Sequence, residues 1–240
     1  PAVLSLLLTF LTWRASLGWV AGIGLLVAAG IALYMPRVSV ALPKDQPTQA
    51  HGRATGGFSW LFTIGVLDSA TRMGFLTFLP FLLQDKGASM PLIGLGLALV
   101  FMGGALGKFV CGWLGERLGL VWVVLATEGG SALAILAVLY LPLTASLFML
   151  PVLGTMLNGT SSVLYGTVPE LSRPEKIERA FSWFYTGTIG SGALAPIAFG
   201  FLGDFAGVPW ATIGTALTAL ITIPLAIHLQ RHYLGSHPRP

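Results

Sequence analysis

The sequence predicts an all-α polytopic membrane protein, and three observations carry that prediction. Apolar residues make up 55% of the chain and charged residues 9%, with a mean hydropathy of +0.81. A soluble domain carries roughly 25% charged residues, so this chain could not dress a water-facing surface. Apolar runs able to cross a hydrocarbon core, which takes about 20 residues of helix, follow one another with short connections. A short charged turn, Gly112-Trp-Leu-Gly-Glu-Arg-Leu-Gly119, lies between two such runs, and a near-parallel string, Gly200-Phe-Leu-Gly-Asp-Phe-Ala-Gly207, lies between a later pair.

Residues 1–12 read as the tail of a span cut by the start of the chain. They lack an initiator Met, a charged n-region and a cleavage site, so they are not a signal peptide; the expectation is a fragment whose N-terminal portion is missing. Full spans are expected at about 17–35, 58–83, 91–114, 120–141, 145–168, 180–203 and 209–229. Residues 36–57 carry Arg37, Pro43, Lys44, Asp45, Pro47, His51 and Arg53 without an apolar period, and read as a linker between two bundles. Residues 1–35 would end the first bundle, 58–229 would form a six-helix bundle, and 230–240 would be a tail.

Basic residues gather on alternate loops. The linker, the 114–120 turn, the 169–180 loop (Arg173, Lys176, Arg179) and the tail hold most of them, while the opposite loops hold Arg14 and Lys86. The positive-inside rule then predicts a multi-pass protein of the inner (plasma) membrane with its C-terminus in the cytoplasm. Trp13, Trp19, Trp60, Trp122 and Trp210 sit near span ends, where interfacial anchoring explains them.

Several function classes are excluded. A net charge of +4, scattered along the chain, does not suggest a nucleic-acid partner. The single cysteine, Cys111, rules out an internal disulfide or cysteine metal cluster and reads as a small packing residue. His51, His228, His232 and His237 fall in the linker or near the tail, read as solvated, and lack metal-ligand spacing. There is no glycine-rich phosphate loop and no nucleophile–base constellation, so no catalytic residue, metal or cofactor is expected and the chain is not read as an enzyme. Ser172-Arg-Pro-Glu175 has a capping-box pattern and reads as a helix start. Asn158-Gly-Thr160 fits a glycosylation pattern but lies inside a span, out of reach.

The repeated turn suggests duplicated units, a common build of secondary transporters. Gly115 and Gly119 permit a tight reversal. Glu116 and Arg117 place opposite charges at the surface, where they can contact helix ends and bias how a moving bundle docks. Gly103, Gly107 and Gly112 form a small-residue stripe that lets helices approach and slide.

On these residues the chain resembles the major facilitator superfamily. Gly112 to Gly119 is similar to that family's loop signature, with Glu116 in place of the usual Asp and with Leu120 and Val121 in place of its basic pair. Gly200 to Gly207 looks like a degenerate copy. Trp13-Arg14 through Trp19 is similar to the loop before the family's sixth helix, and Pro169 through Gly200 to its tenth-to-eleventh-helix region. That last region looks most like fosmidomycin-resistance-type efflux permeases. The resemblance implies a six-helix C-terminal bundle preceded by the end of an N-terminal bundle that is mostly missing. It also implies alternating access, with a substrate site between the bundles.

Ionisable residues at bilayer depth are the functional candidates. Asp68 and Arg72, one turn apart near the middle of the 58–83 span, share a helix face. The sharp reading gives Asp68 a proton or cation and lets Arg72 tune it or hold an anionic substrate group; the plain reading is a static ion pair. Glu128 and Lys108 lie at depths differing by about 3 Å on neighbouring antiparallel helices, so a structural ion pair is expected, with a second proton carrier as the alternative. Asn158, Thr160, Ser161, Ser162 and Tyr165, then Tyr185, Thr186, Thr188 and Ser191, would give a neutral hydrogen-bonding wall suited to an amphipathic organic substrate, or would simply bond helix to helix. The expected partners are therefore a small molecule, a proton and the lipid bilayer. The expected activity is proton-coupled efflux of a small organic compound, with uptake of an organic anion or a non-transporting sensor or scaffold as alternatives.

Overall fold

In the computed structural model, residues 2–34 and 57–231 are described; most of the expected linker and tail, with His51, His232 and His237, lies outside them. The helices are α1 (Ala2–Phe10), α2 (Trp13–Tyr34), α3 (Gly57–Asp85), α4 (Met90–Leu118), α5 (Leu120–Tyr140), α6 (Leu143–Thr167), α7 (Ile177–Ala206) and α8 (Val208–Leu229). A 3₁₀ turn, Pro174–Lys176, precedes α7. Among the described residues, seven helices, α2 to α8, are long and apolar enough to cross a membrane. Each expected span is a helix, and most of them run further than the apolar stretch alone indicated.

The repeated string is a repeated one-residue turn. Gly119 alone joins α4 to α5 at φ 84°, and its N–H donates to the carbonyl of Gly115 at 3.0 Å. Gly207 alone joins α7 to α8 at φ 95°, donating to Gly203 at 2.7 Å. Glycine takes this left-handed backbone without strain. The reversal therefore falls on Gly119, while Gly115 is an ordinary helical residue packed against Val163.

The packing repeats as well. α4 lies on α6 as α7 lies on α3, and α5 lies on α6 as α8 lies on α3. Exchanging α3–α5 with α6–α8 thus maps the main contacts of each half onto those of the other. Three spans separate the two turns, so the turns sit at opposite ends and the halves are inverted repeats. α1 packs against α4.

Glycine makes the α4–α6 contact possible. A Cβ on Gly103 would fall 2.0 Å from the carbonyl oxygen of Pro151, one on Gly154 2.1 Å from that of Val100, and one on Gly107 2.4 Å from that of Thr155. The two backbones touch, and Thr155 donates across the seam to the carbonyl of Gly103 at 3.1 Å. Gly112 does not belong to this stripe, because a Cβ there would meet nothing within 4 Å.

The expected capping box does not form. The hydroxyl of Ser172 donates back to the carbonyl of Val168 at 2.7 Å, and α7 begins only at Ile177. A side chain satisfied by the preceding turn is not available to cap the next helix.

Lys86 closes the α3–α4 end. Its ammonium donates to the carbonyls of Leu139, at 3.1 Å, and Leu141, satisfying the C-terminal end of α5. Lys86→Met should cost about 1.5–3 kcal/mol, the range for hydrogen bonds to a charged group, and lower the thermal unfolding midpoint in detergent by a few degrees.

Candidate functional site

Two apolar clusters fill the six-helix bundle. One holds Phe75 and Leu79 of α3, Ile135 and Val138 of α5, Leu150 and Leu153 of α6 and Ala219 of α8. The other holds Leu61 and Ile64 of α3, Val123 and Val124 of α5, Leu164 of α6 and Ala226 of α8. On all four helices buried polar residues lie between the clusters: Asp68, Thr127 and Glu128, Thr160, and Thr222. The bundle therefore carries a buried polar layer between two dry ones.

Asp68 is 4% exposed and faces Arg72, whose guanidinium nitrogen lies 3.7 Å from Oδ2. Arg72 is more open, with 18% of its side chain exposed. Glu128 on α5 is 2% exposed, and its carboxyl lies within hydrogen-bonding reach of that of Asp68. Thr160 on α6 donates to Oε1 of Glu128 at 2.7 Å, and its hydroxyl lies 2.7 Å from that of Thr127. The hydroxyl of Thr222 on α8 faces the same carboxyl and donates to the carbonyl of Ala219 at 2.6 Å. An ionised carboxylate only accepts hydrogen bonds, so a bond between two carboxyls requires a proton on one of them.

The expected Lys108–Glu128 ion pair is absent. Lys108 is exposed while Glu128 points inward to Asp68 and Thr160. The depth estimate ignored azimuth: the buried face of α4, with Gly103, Gly104, Gly107, Cys111 and Gly115, turns to α6, and Lys108 lies off it.

Other candidates fall into two groups. Asn158 donates to Gly154 of its own helix at 3.1 Å and abuts Gly104, while Ser161 donates to the carbonyl of Asn158 at 2.9 Å. These are packing positions. Tyr165 on α6 stacks on Tyr185 of α7, with centroids 4.8 Å apart and planes 29° apart. Its hydroxyl lies 3.3 Å from that of Thr188. The α3–α7 seam is pinned by Ser69 donating to the carbonyl of Thr188 at 2.6 Å and Ser191 donating to that of Val66 at 2.6 Å. Gly112, Glu116 and Arg117 lie near the α4–α5 turn, where Arg117 covers the ring of Trp113 at 4.1 Å. His228 is not in a solvated tail: it lies in the last turn of α8 against Trp60, with centroids 4.4 Å apart. A concavity of about 470 Å³ runs along α2, lined by Ala15, Gly18, Trp19, Gly22, Ile23 and Leu26. It carries no group of the polar layer.

Sequence reasoning missed the meeting of Asp68 with Glu128 and the part of Thr127 and Thr222. The available signal was a threonine or acid at mid-span on each of four helices.

The architecture is that of a polytopic helical membrane protein with a buried ionisable layer. The sequence profile described as Major Facilitator Superfamily matches residues 61–238, and the chain belongs to that family. No curated protein matches it in sequence. Among solved structures it is similar to a point mutant of the peptide transporter POT in complex with sulfate, with a TM-score of 0.61 and 22% identity over 79% of this chain and 40% of that one. It is also similar to the same transporter in complex with alafosfalin, with a TM-score of 0.62 and 23% identity over 79% and 41%. Those likenesses carry the fold, and the chain spans about two fifths of those transporters' length.

Proposed function

We propose that the chain is the C-terminal part of a secondary active transporter working by alternating access. In this reading it exports a small organic compound in exchange for protons and performs no covalent chemistry. The family membership supports transport. The carboxyl pair of Asp68 and Glu128, buried between two dry clusters beside Arg72, supports proton coupling. Two buried carboxyls this close disfavour a double negative charge, so the pair can hold one proton, and losing it leaves Asp68 to the guanidinium 3.7 Å away. The same residues thus form two arrangements differing by one proton. Export is favoured over uptake of an organic anion because Arg72 already faces a carboxylate of its own chain. The resemblance of Pro169 to Gly200 to fosmidomycin-resistance-type permeases points the same way. The protein would sit in the plasma membrane with its C-terminus in the cytoplasm, where most of the basic loops gather.

The test uses inverted membrane vesicles holding the intact protein, an imposed proton gradient and a pH-sensitive dye. A panel of amphipathic drugs, organic acids and sugars is added to wild type and to Asp68→Asn. The expected result is that at least one compound collapses the gradient with wild type and none does with the variant. A variant that matches wild type would remove Asp68 from coupling.

A further inference from the structure

The rings of Phe184, Tyr165 and Tyr185 form a graded ladder from the core to the exposed face of α7. Phe184 is 1% exposed and meets Tyr165 edge-on, with centroids 5.1 Å apart and planes 75° apart. Tyr165 in turn stacks on Tyr185, which is 50% exposed. The inner ring anchors the middle one, and the middle one holds the outer ring by one face, so Tyr185 presents an ordered aromatic surface. Stacking on a ring already held costs a ligand little reorganisation. The ladder is tied to the acid: the hydroxyl of Tyr165 meets Thr188, whose carbonyl takes a hydrogen bond from Ser69, the residue after Asp68.

The surroundings narrow the ligand. α6, and α7 from Ala180 to Phe199, carry no charged residue, so the ladder has no counter-ion of its own. Exposed Ser182 and Thr186 on α7 flank Tyr185 and offer neutral hydrogen-bonding groups. We infer that Tyr185, held by Tyr165, is the substrate platform of the transporter and selects compounds that carry a flat aromatic ring and a neutral polar group. This rests on the transport reading above and adds the substrate class to it.

The probes are benzamide and its saturated counterpart, cyclohexanecarboxamide. Each is tested for collapse of the proton gradient in inverted vesicles, and for its shift of the thermal unfolding midpoint of the purified intact protein. Wild type is expected to respond to benzamide at a concentration about fivefold lower than to the saturated amide, in line with the strength of an aromatic pair. Tyr185→Phe keeps that preference. Tyr185→Leu loses it, because its response to benzamide falls more than its response to the saturated amide. Two results would overturn the platform: wild type that does not prefer the ring, or Tyr185→Leu that keeps the preference or weakens both amides equally, as a merely structural tyrosine would. A ring-dependent thermal shift without gradient collapse would sustain the platform and sink proton-coupled transport, so the two failures are distinguishable.

Discussion

Gly103→Ala is expected to prevent the bundle from closing, whereas Gly112→Ala, nine residues further along the same helix, should be harmless. The added methyl at Gly103 would lie 2.0 Å from the carbonyl oxygen of Pro151 and 2.8 Å from its carbonyl carbon. Backbone cannot step aside as a flexible side chain can, so α4 and α6 must move apart along the whole seam. That separation also loosens the contacts of Gly107 with Thr155 and of Gly154 with Val100, and breaks the bond from Thr155 to Gly103. Overpacking in a dense interior costs about 1–3 kcal/mol when side chains can adjust, and here they are not what collides. Gly112 has open space around it, so alanine adds only its helix propensity, worth about 1 kcal/mol over glycine in a helix. The measurement is the yield of folded protein and the midpoint of thermal unfolding in detergent. Equal behaviour of the two variants would mean that α4 and α6 are not in backbone contact.

This pair of glycines also shows where sequence reading stops. Hydropathy placed all seven full spans because a bilayer demands a long apolar run whatever its neighbours are. The Asp68–Arg72 pair was legible because residues one turn apart share a face of any helix. The Lys108–Glu128 pair was not, because it needed the rotation of two helices about their axes. That rotation is set by the contact of Gly103, Gly107 and Gly115 with α6, not by anything local to Lys108. Gly112 looked like part of the same stripe for the same reason. In Ser172 a local pattern was simply outbid by a nearer acceptor, the carbonyl of Val168. What the sequence withheld was which helix each face meets, and the carboxyl pair is a consequence of that choice.

Under the proposed proton coupling, Glu128→Gln is expected to fold like wild type and to lose proton-driven transport. Glutamine fits the site: its carbonyl can accept from Thr160 as Oε1 does at 2.7 Å, and its amide can donate to Asp68. No buried group is left without a partner, so stability should stay within about 1 kcal/mol. The shared proton has gone, however. Asp68 now receives its hydrogen bond from an amide and keeps its ion pair with Arg72 in both conformations of the transporter. Proton-driven flux should fall at least about tenfold, equivalent to about 1.4 kcal/mol, while exchange of labelled for unlabelled substrate, which needs no net proton movement, continues. Glu128→Leu separates the structural share of the same residue. It strips Thr160 of its acceptor and leaves Asp68 against an apolar group in a layer that is 0–4% exposed. That should add a stability loss of about 1–3 kcal/mol. If Glu128→Gln drives substrate as well as wild type does, the proton is carried elsewhere and the pair is only a hydrogen bond that joins α3 to α5. If it stops exchange as well as proton-driven flux, Glu128 serves substrate movement itself rather than its coupling to protons.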